Sequence, residues 1–258
     1  MQRRCNLNED FFTQDSKEVF YILGLSVKSY TFSKDSRERS IFRNKNYNII
    51  KMIHACLESN HKIISDNRGK NSYFFEVRSK RLRLSLEERG LTEDKRDRIF
   101  LRNIPEEFIC DHIRGVIENE CGSERIEVIT KIFLRFNYDY LVELDKKLRY
   151  YANIQKKETT GDFTQYGIQD TKKIYDFIYS EDNRLYIQEI KEKFRLNESK
   201  IKRISRMKIE EAKRLLNEGD TGVDIAKTLG YSSPFAFYNL FKKYEGIGTK
   251  KFKKTTKN

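Results

Sequence analysis

Two stretches, "FYILGLSVKSY" (residues 20–30) and "FICDHIRGVIENECGS" (residues 108–123), decide how the front of this chain reads. Each is a helical run of apolar residues interrupted by one glycine, Gly24 in the first and Gly115 in the second, 91 residues apart. The two runs lead into similar successions of elements. After the first come a β-type stretch over 29–32, a helix over 46–60 with Ile49, Ile50, Met52, Ile53 and Cys56 on one side, strands at "HKIIS" and "NSYFFEVRS", and a helix at "KRLRLSLEERGL" that stops at Gly90. In the second strand Phe75 and Val77 share one face, and Phe74, Glu76 and Arg78 the other. After the second run come a strand over 125–134, a helix at "NYDYLVELDKKLRYYA", a strand at "FTQYGIQ" and a helix at "DTKKIYDFIYS". Helix, strand, helix, strand, helix occurs twice, and an internal duplication is the simplest reading; chance alternation in a mixed chain is the other.

Bulk properties bound the function. The chain has 258 residues and a formal charge of +13. Its 18 Phe and 15 Tyr supply large buried area, and only 2 Pro interrupt regular structure. Such a charge points to a polyanion, nucleic acid before an anionic membrane surface. No apolar run reaches the roughly 20 residues of a membrane span, and the basic N-terminus lacks the apolar segment of a signal peptide. A cytoplasmic protein that does not enter membranes is expected. Cys5, Cys56, Cys110 and Cys121 show no CxxC spacing, and His54, His61 and His112 form no metal-binding pair, so free thiols and no zinc site are expected.

Charge is unevenly distributed. Residues 201–258 hold fourteen lysines and arginines against six acids, an excess of eight, and leave five to the rest. A linker helix at "RLYIQEIKEKFRL" leads into this tail, so the boundary is placed with residues 1–194 on one side and 195–258 on the other. The tail reads as three helices. The first, over 206–217, is expected to bury Met207, Ile209, Ala212, Leu215 and Leu216 and to stop at Gly219. The second, "GVDIAKTLG", places Val223, Ile225, Ala226 and Leu229 inside and ends at Gly230. Ser233 caps the third, with Pro234 at its first position, where a missing N–H costs nothing. A short helix, a glycine turn and a helix with a basic end make a helix-turn-helix.

The tail, through "RMKIEEAKRLL" and "DIAKTLGYSSPFAFYNLFKKYEG", resembles the second helix-turn-helix of AraC/XylS-type regulators over about 45 residues, although only one such motif is evident where that family normally has two. The resemblance implies a recognition helix over 234–244, with base-reading positions at Pro234, Phe235, Ala236, Tyr238 and Asn239. Asn suits adenine, and an apolar group suits the thymine methyl. Ser232, Ser233, Lys242 and Lys243 would take phosphates. Phe237, Leu240 and Phe241 are core at helical spacing.

The front part, residues 11–190, resembles a two-repeat LAGLIDADG homing endonuclease, through the two quoted stretches, "NIPEEF" before the second, and the element order. The resemblance implies an α+β fold: a pseudo-twofold αββαββα domain with repeats over about 11–100 and 101–190, followed by a small all-α helix-turn-helix domain. It implies two helices packed through small residues, each ending in an acid that holds Mg²⁺ with its mate. At those end positions the chain has Ser29, preceded by Lys28, and Glu120. One carboxylate does not build a shared metal site, so no cofactor is expected and cleavage is expected to be lost. The resemblance also implies a sheet saddle on DNA, with Lys28, Tyr30, Arg78, Arg125, Lys131 and Arg135 facing the duplex, beside Glu76 and Glu127, which would repel phosphates.

The expected function is therefore sequence-specific binding of double-stranded DNA by a bacterial transcriptional regulator, monomeric as a pseudo-dimer and able to meet the transcription machinery. The alternative is an active Mg²⁺-dependent endonuclease using Glu120, with the helix-turn-helix as specificity module. RNA binding is disfavoured because A-form RNA hides the groove that a helix reads, and ligand sensing because the front part lacks a run of short strands.

Overall fold

A computed structural model describes residues 6–32, 39–66, 71–92, 101–121, 131–155, 161–180, 185–194, 198–231 and 233–255. The architecture is mixed α+β. Helix α1 (Lys17–Ser29) begins at Ser16, whose hydroxyl accepts the Val19 N–H at 3.2 Å. After it come β1 (Tyr30–Phe32), β2 (Arg39–Asn44), α2 (Tyr47–Cys56), β3 (Ile64–Asp66), β4 (Ser72–Arg78) and α3 (Lys80–Glu88). The strands form one antiparallel sheet in the order β1-β2-β4-β3. Its inner face carries Phe42 and Phe75, directly paired, stacked at 5.1 Å and fully buried. Ile49, Ile50 and Ile53 of α2 bury in the same core. The alternation read in β4 is the one found: Phe75 and Val77 point in, and Phe74, Glu76 and Arg78 point out. Strand β2 is an element that the sequence pattern does not announce.

The second half runs α4 (Ile109–Cys121), β5 (Ile132–Arg135), α5 (Tyr138–Ala152), β6 (Phe163–Tyr166) and α6 (Ile168–Ile178), with β5 and β6 antiparallel. The first half shows the order αββαββα. Among the described residues the second half shows one strand where the first has two, so the full two-repeat arrangement is not what they display.

Helices α1 and α4 cross at the two glycines. A Cβ on Gly24 would lie 2.3 Å from the His112 carbonyl oxygen and 2.9 Å from the Val116 nitrogen. A Cβ on Gly115 would lie 2.2 Å from the Tyr21 carbonyl oxygen and 2.9 Å from the Leu25 nitrogen. The same relative positions clash in both directions, so the backbones touch and only glycine fits at either site.

Two residues of α4 tie down the chain that leads out of this core. Arg114, buried, pairs with Asp111 at 2.5 Å and donates to the carbonyls of Ile178 at 3.1 Å and Leu185 at 3.0 Å. Glu118, also buried, accepts from the hydroxyls of Tyr21 at 2.5 Å and Tyr179 at 2.6 Å and from the Ile187 N–H at 3.0 Å. These bonds fix the chain just before α7 (Gln188–Phe194).

The core that includes α1 and α4 runs from Phe12 to Phe194. A second core is built from α8 (Glu198–Glu218), α9 (Gly222–Thr228) and α10 (Pro234–Glu245): Ile209, Ala212, Leu215, Leu216, Ile225, Ala226, Phe237 and Phe241. Phe252 of α11 (Thr249–Thr255) packs edge-on against Phe241 at 5.4 Å. Helix α8 starts well before residue 206. Two residues expected in this core are outside it: Met207 is 63% and Val223 55% exposed. Among the described residues no helix is long and apolar enough to cross a membrane, and no cluster of three or more His, Cys, Asp or Glu could hold a metal ion. Cys56, Cys110 and Cys121 are thiols in no disulfide; Cys5 lies outside the described residues.

Candidate nucleic-acid interface

The turn between α9 and α10 is built from local chemistry. Thr221 caps α9 by accepting the Asp224 N–H at 3.2 Å. At the other end Leu229 is the last half-helical residue, and Gly230 takes a left-handed φ of +65°. The Tyr231 N–H then reaches the Ala226 carbonyl at 2.8 Å, and the Gly230 N–H the Lys227 carbonyl at 3.0 Å. This double closure satisfies carbonyls that the helix end would leave bare. Ser233 restarts the chain as cap of α10, accepting the Ala236 N–H at 3.2 Å, with Pro234 in the first turn. A cap of this kind is worth about 1 kcal/mol.

Helix α10 divides its residues cleanly. Phe237 and Phe241 are fully buried. Pro234, Phe235, Asn239, Lys242 and Lys243 are exposed, Phe235 at 72%. Phe235, Asn239, Lys242 and Lys243 recur at spacings of three and four and so share one side. Ala236 is half-buried. Tyr238 is half-buried and its ring lies over Gly222, whose Cβ, if present, would be 2.5 Å from the ring. Ser232 lies outside the described residues.

Of the residues expected on a sheet saddle, Lys28 and Arg135 both lie beside Glu120. Tyr30 is fully buried, its ring against Phe42 at 5.3 Å and its hydroxyl 3.2 Å from Ser40. Lys28 belongs to α1; its ammonium pairs with Glu120 at 2.5 Å and stands 4.4 Å from the Phe136 ring centre. Arg78 is exposed at the end of β4, with Glu76 at 3.9 Å. Arg135 is exposed on β5, near Asp162 at 3.8 Å. Arg125 lies outside the described residues. Lys131, just before β5, is half-buried against Gly230 of the α9–α10 turn.

The ends of α1 and α4 carry a closed polar cluster. Ser29 is buried and its hydroxyl accepts from the side-chain amides of Asn44 at 2.9 Å and Asn119 at 3.2 Å. Asn44 also donates to the Asn119 oxygen at 2.8 Å. Burial raises the Glu120 carboxyl above its ordinary range, and the Lys28 ammonium and the Arg135 N–H oppose that rise. Glu118 is committed to its three donors. Sequence reasoning missed Asn44, since β2 itself was missed, and it missed Asn119.

Against known proteins, no family model matches the chain, and no curated protein matches it. A solved structure aligns over most of its length: "Crystal structure of full-length DUF199/WhiA from Thermatoga maritima", covering 92% of this chain and 94% of that one, with a TM-score of 0.41 and 11% sequence identity. The expectation of a LAGLIDADG-type domain joined to an AraC/XylS-type unit is corrected here: the solved structure that aligns with the chain is described as a DUF199/WhiA protein.

Proposed function

We propose that this chain binds double-stranded DNA sequence-specifically and acts as a transcriptional regulator, with α10 as the helix that enters the major groove. The carrying observation is the division of α10: Phe237 and Phe241 anchor it, while Phe235, Asn239, Lys242 and Lys243 stand outward on one side. The chemistry of that side fits a groove. An Asn amide pairs with adenine through two hydrogen bonds, and an apolar group meets a thymine methyl. The two lysines suit phosphates, which position a helix without reading sequence. The positive excess of the last 58 residues supports the same reading.

We further propose that the chain binds without hydrolysing its DNA. Support comes from Lys28, whose ammonium already answers the Glu120 carboxylate, and from the Ser29 hydroxyl, already held by two amides.

Replacing Asn239 with alanine is expected to cost ~1–3 kcal/mol on the preferred duplex and to relax specificity at one base pair. Lys242→Ala should weaken binding to all sequences alike and lower the salt slope. Binding curves on a selected duplex and on single-base variants check both. If the two substitutions behave identically, α10 does not dock as described.

A further inference from the structure

Lys131, from the chain just before β5, reaches the α9–α10 turn. Its ammonium lies so close above Gly230 that a Cβ there would be 1.5 Å from Nζ. Lys208, from α8, reaches the same turn from its own side, donating to the Leu229 carbonyl at 2.8 Å with Nζ 5.0 Å from the Tyr231 ring centre. Two ammonium groups from different cores therefore converge on consecutive residues of one turn. Both are half-buried, and among the described residues no carboxylate shifts the charge of either. An ammonium has three donors, and the Leu229 carbonyl takes one of those on Lys208.

Such a pair is costly alone. Burial lowers both lysines, and the Lys131 charge lowers Lys208 further, to about 8. An anion between them turns repulsion into a bridge. The turn leads into α10, the helix that bears Phe235 and Asn239, with only two residues between Tyr231 and Pro234. We propose that Lys131 and Lys208 together grip one DNA backbone phosphate beside the α9–α10 turn, so that the larger core shares in the grip. This rests on the duplex-binding reading above.

The test measures affinity of the full chain for a selected duplex across a salt series. Lys131→Gln and Lys208→Gln should each lower the slope of log affinity against log salt by about 0.9, the value for one phosphate. Because both hold the same phosphate, the double variant should fall no further than either single one. A wild-type slope that survives unchanged in both variants overturns this site and leaves the duplex-binding reading standing. A wild-type protein with no salt-dependent binding overturns both. Amine labelling of the wild-type chain guards against a folding defect: duplex should protect Lys131 and Lys208. Labelling unaffected by duplex contradicts the site, and equal protection by inorganic phosphate at matched phosphate concentration reassigns it to a free anion.

Discussion

Gly24→Ala is expected to destabilise the fold by about 3 kcal/mol, the upper part of the usual range for overpacking, although alanine by itself favours helix by up to about 1 kcal/mol. The new methyl would meet the His112 carbonyl at 2.3 Å, and backbone does not swing aside as a long side chain does. The helices must separate, and the neighbours packed between them, Tyr21, Leu25, Ile113 and Val116, lose their contacts together. Gly115→Ala should do the same for the mirrored reason. Alanine at Gly246, where nothing lies within 4 Å, meets only the strain of its positive φ and should cost less. Denaturant midpoints of the three variants check this order. Equal, small losses at Gly24 and Gly246 would mean that the helices do not cross at their glycines.

Glu118 gives the second large effect, through pH. Burial holds its carboxyl up to about 7 against an ordinary 4.5, although Tyr179, Tyr21, the Ile187 N–H and Arg114 all favour the charged form. The folded chain thus binds this proton more tightly than the unfolded chain. The resulting stability is present in full below about 4.5 and is lost as pH rises through about 7. The full difference is on the order of 3 kcal/mol. Glu118→Gln removes the titration, so the gap between wild type and variant should change by about that amount between pH 4 and pH 8, in the direction of relative loss for wild type at high pH. Parallel stability curves for the two proteins would show that Glu118 does not titrate in this window.

Much of the fold was legible because its signals are local. Apolar spacing marked α1, α2 and α5, alternation marked β4, and glycines marked the ends of α3, α8 and α9. Strand β2 was not, because "RSIFRN" buries only a serine and one phenylalanine and lies among charged residues. The exposure of Met207 comes from the helix itself: Ile209, Ala212 and Leu216 define the buried stripe, and a residue two before Ile209 sits about 200° around from it. Counting apolar residues concealed that.

The candidate site was legible in part. The cap at Ser233, the core role of Phe237 and Phe241, and the outward Asn239 and lysines are set by helical spacing. Tyr238 over Gly222 and Lys131 over Gly230 are not, because each depends on how separate elements pack. Tyr30 is a matter of register: a strand residue one position along would have faced outward.

The measurement that bears most directly on the central claim is selection of bound duplexes from a random library with Mg²⁺ present, with sequencing of intact and cut molecules and a salt titration on the winner. The expected result is one enriched motif in intact duplexes, affinity that falls steeply with salt, and loss of preference at a single position in Asn239→Ala. No enrichment with a flat salt response would contradict DNA binding, and reproducible cut ends within the motif would contradict binding without hydrolysis.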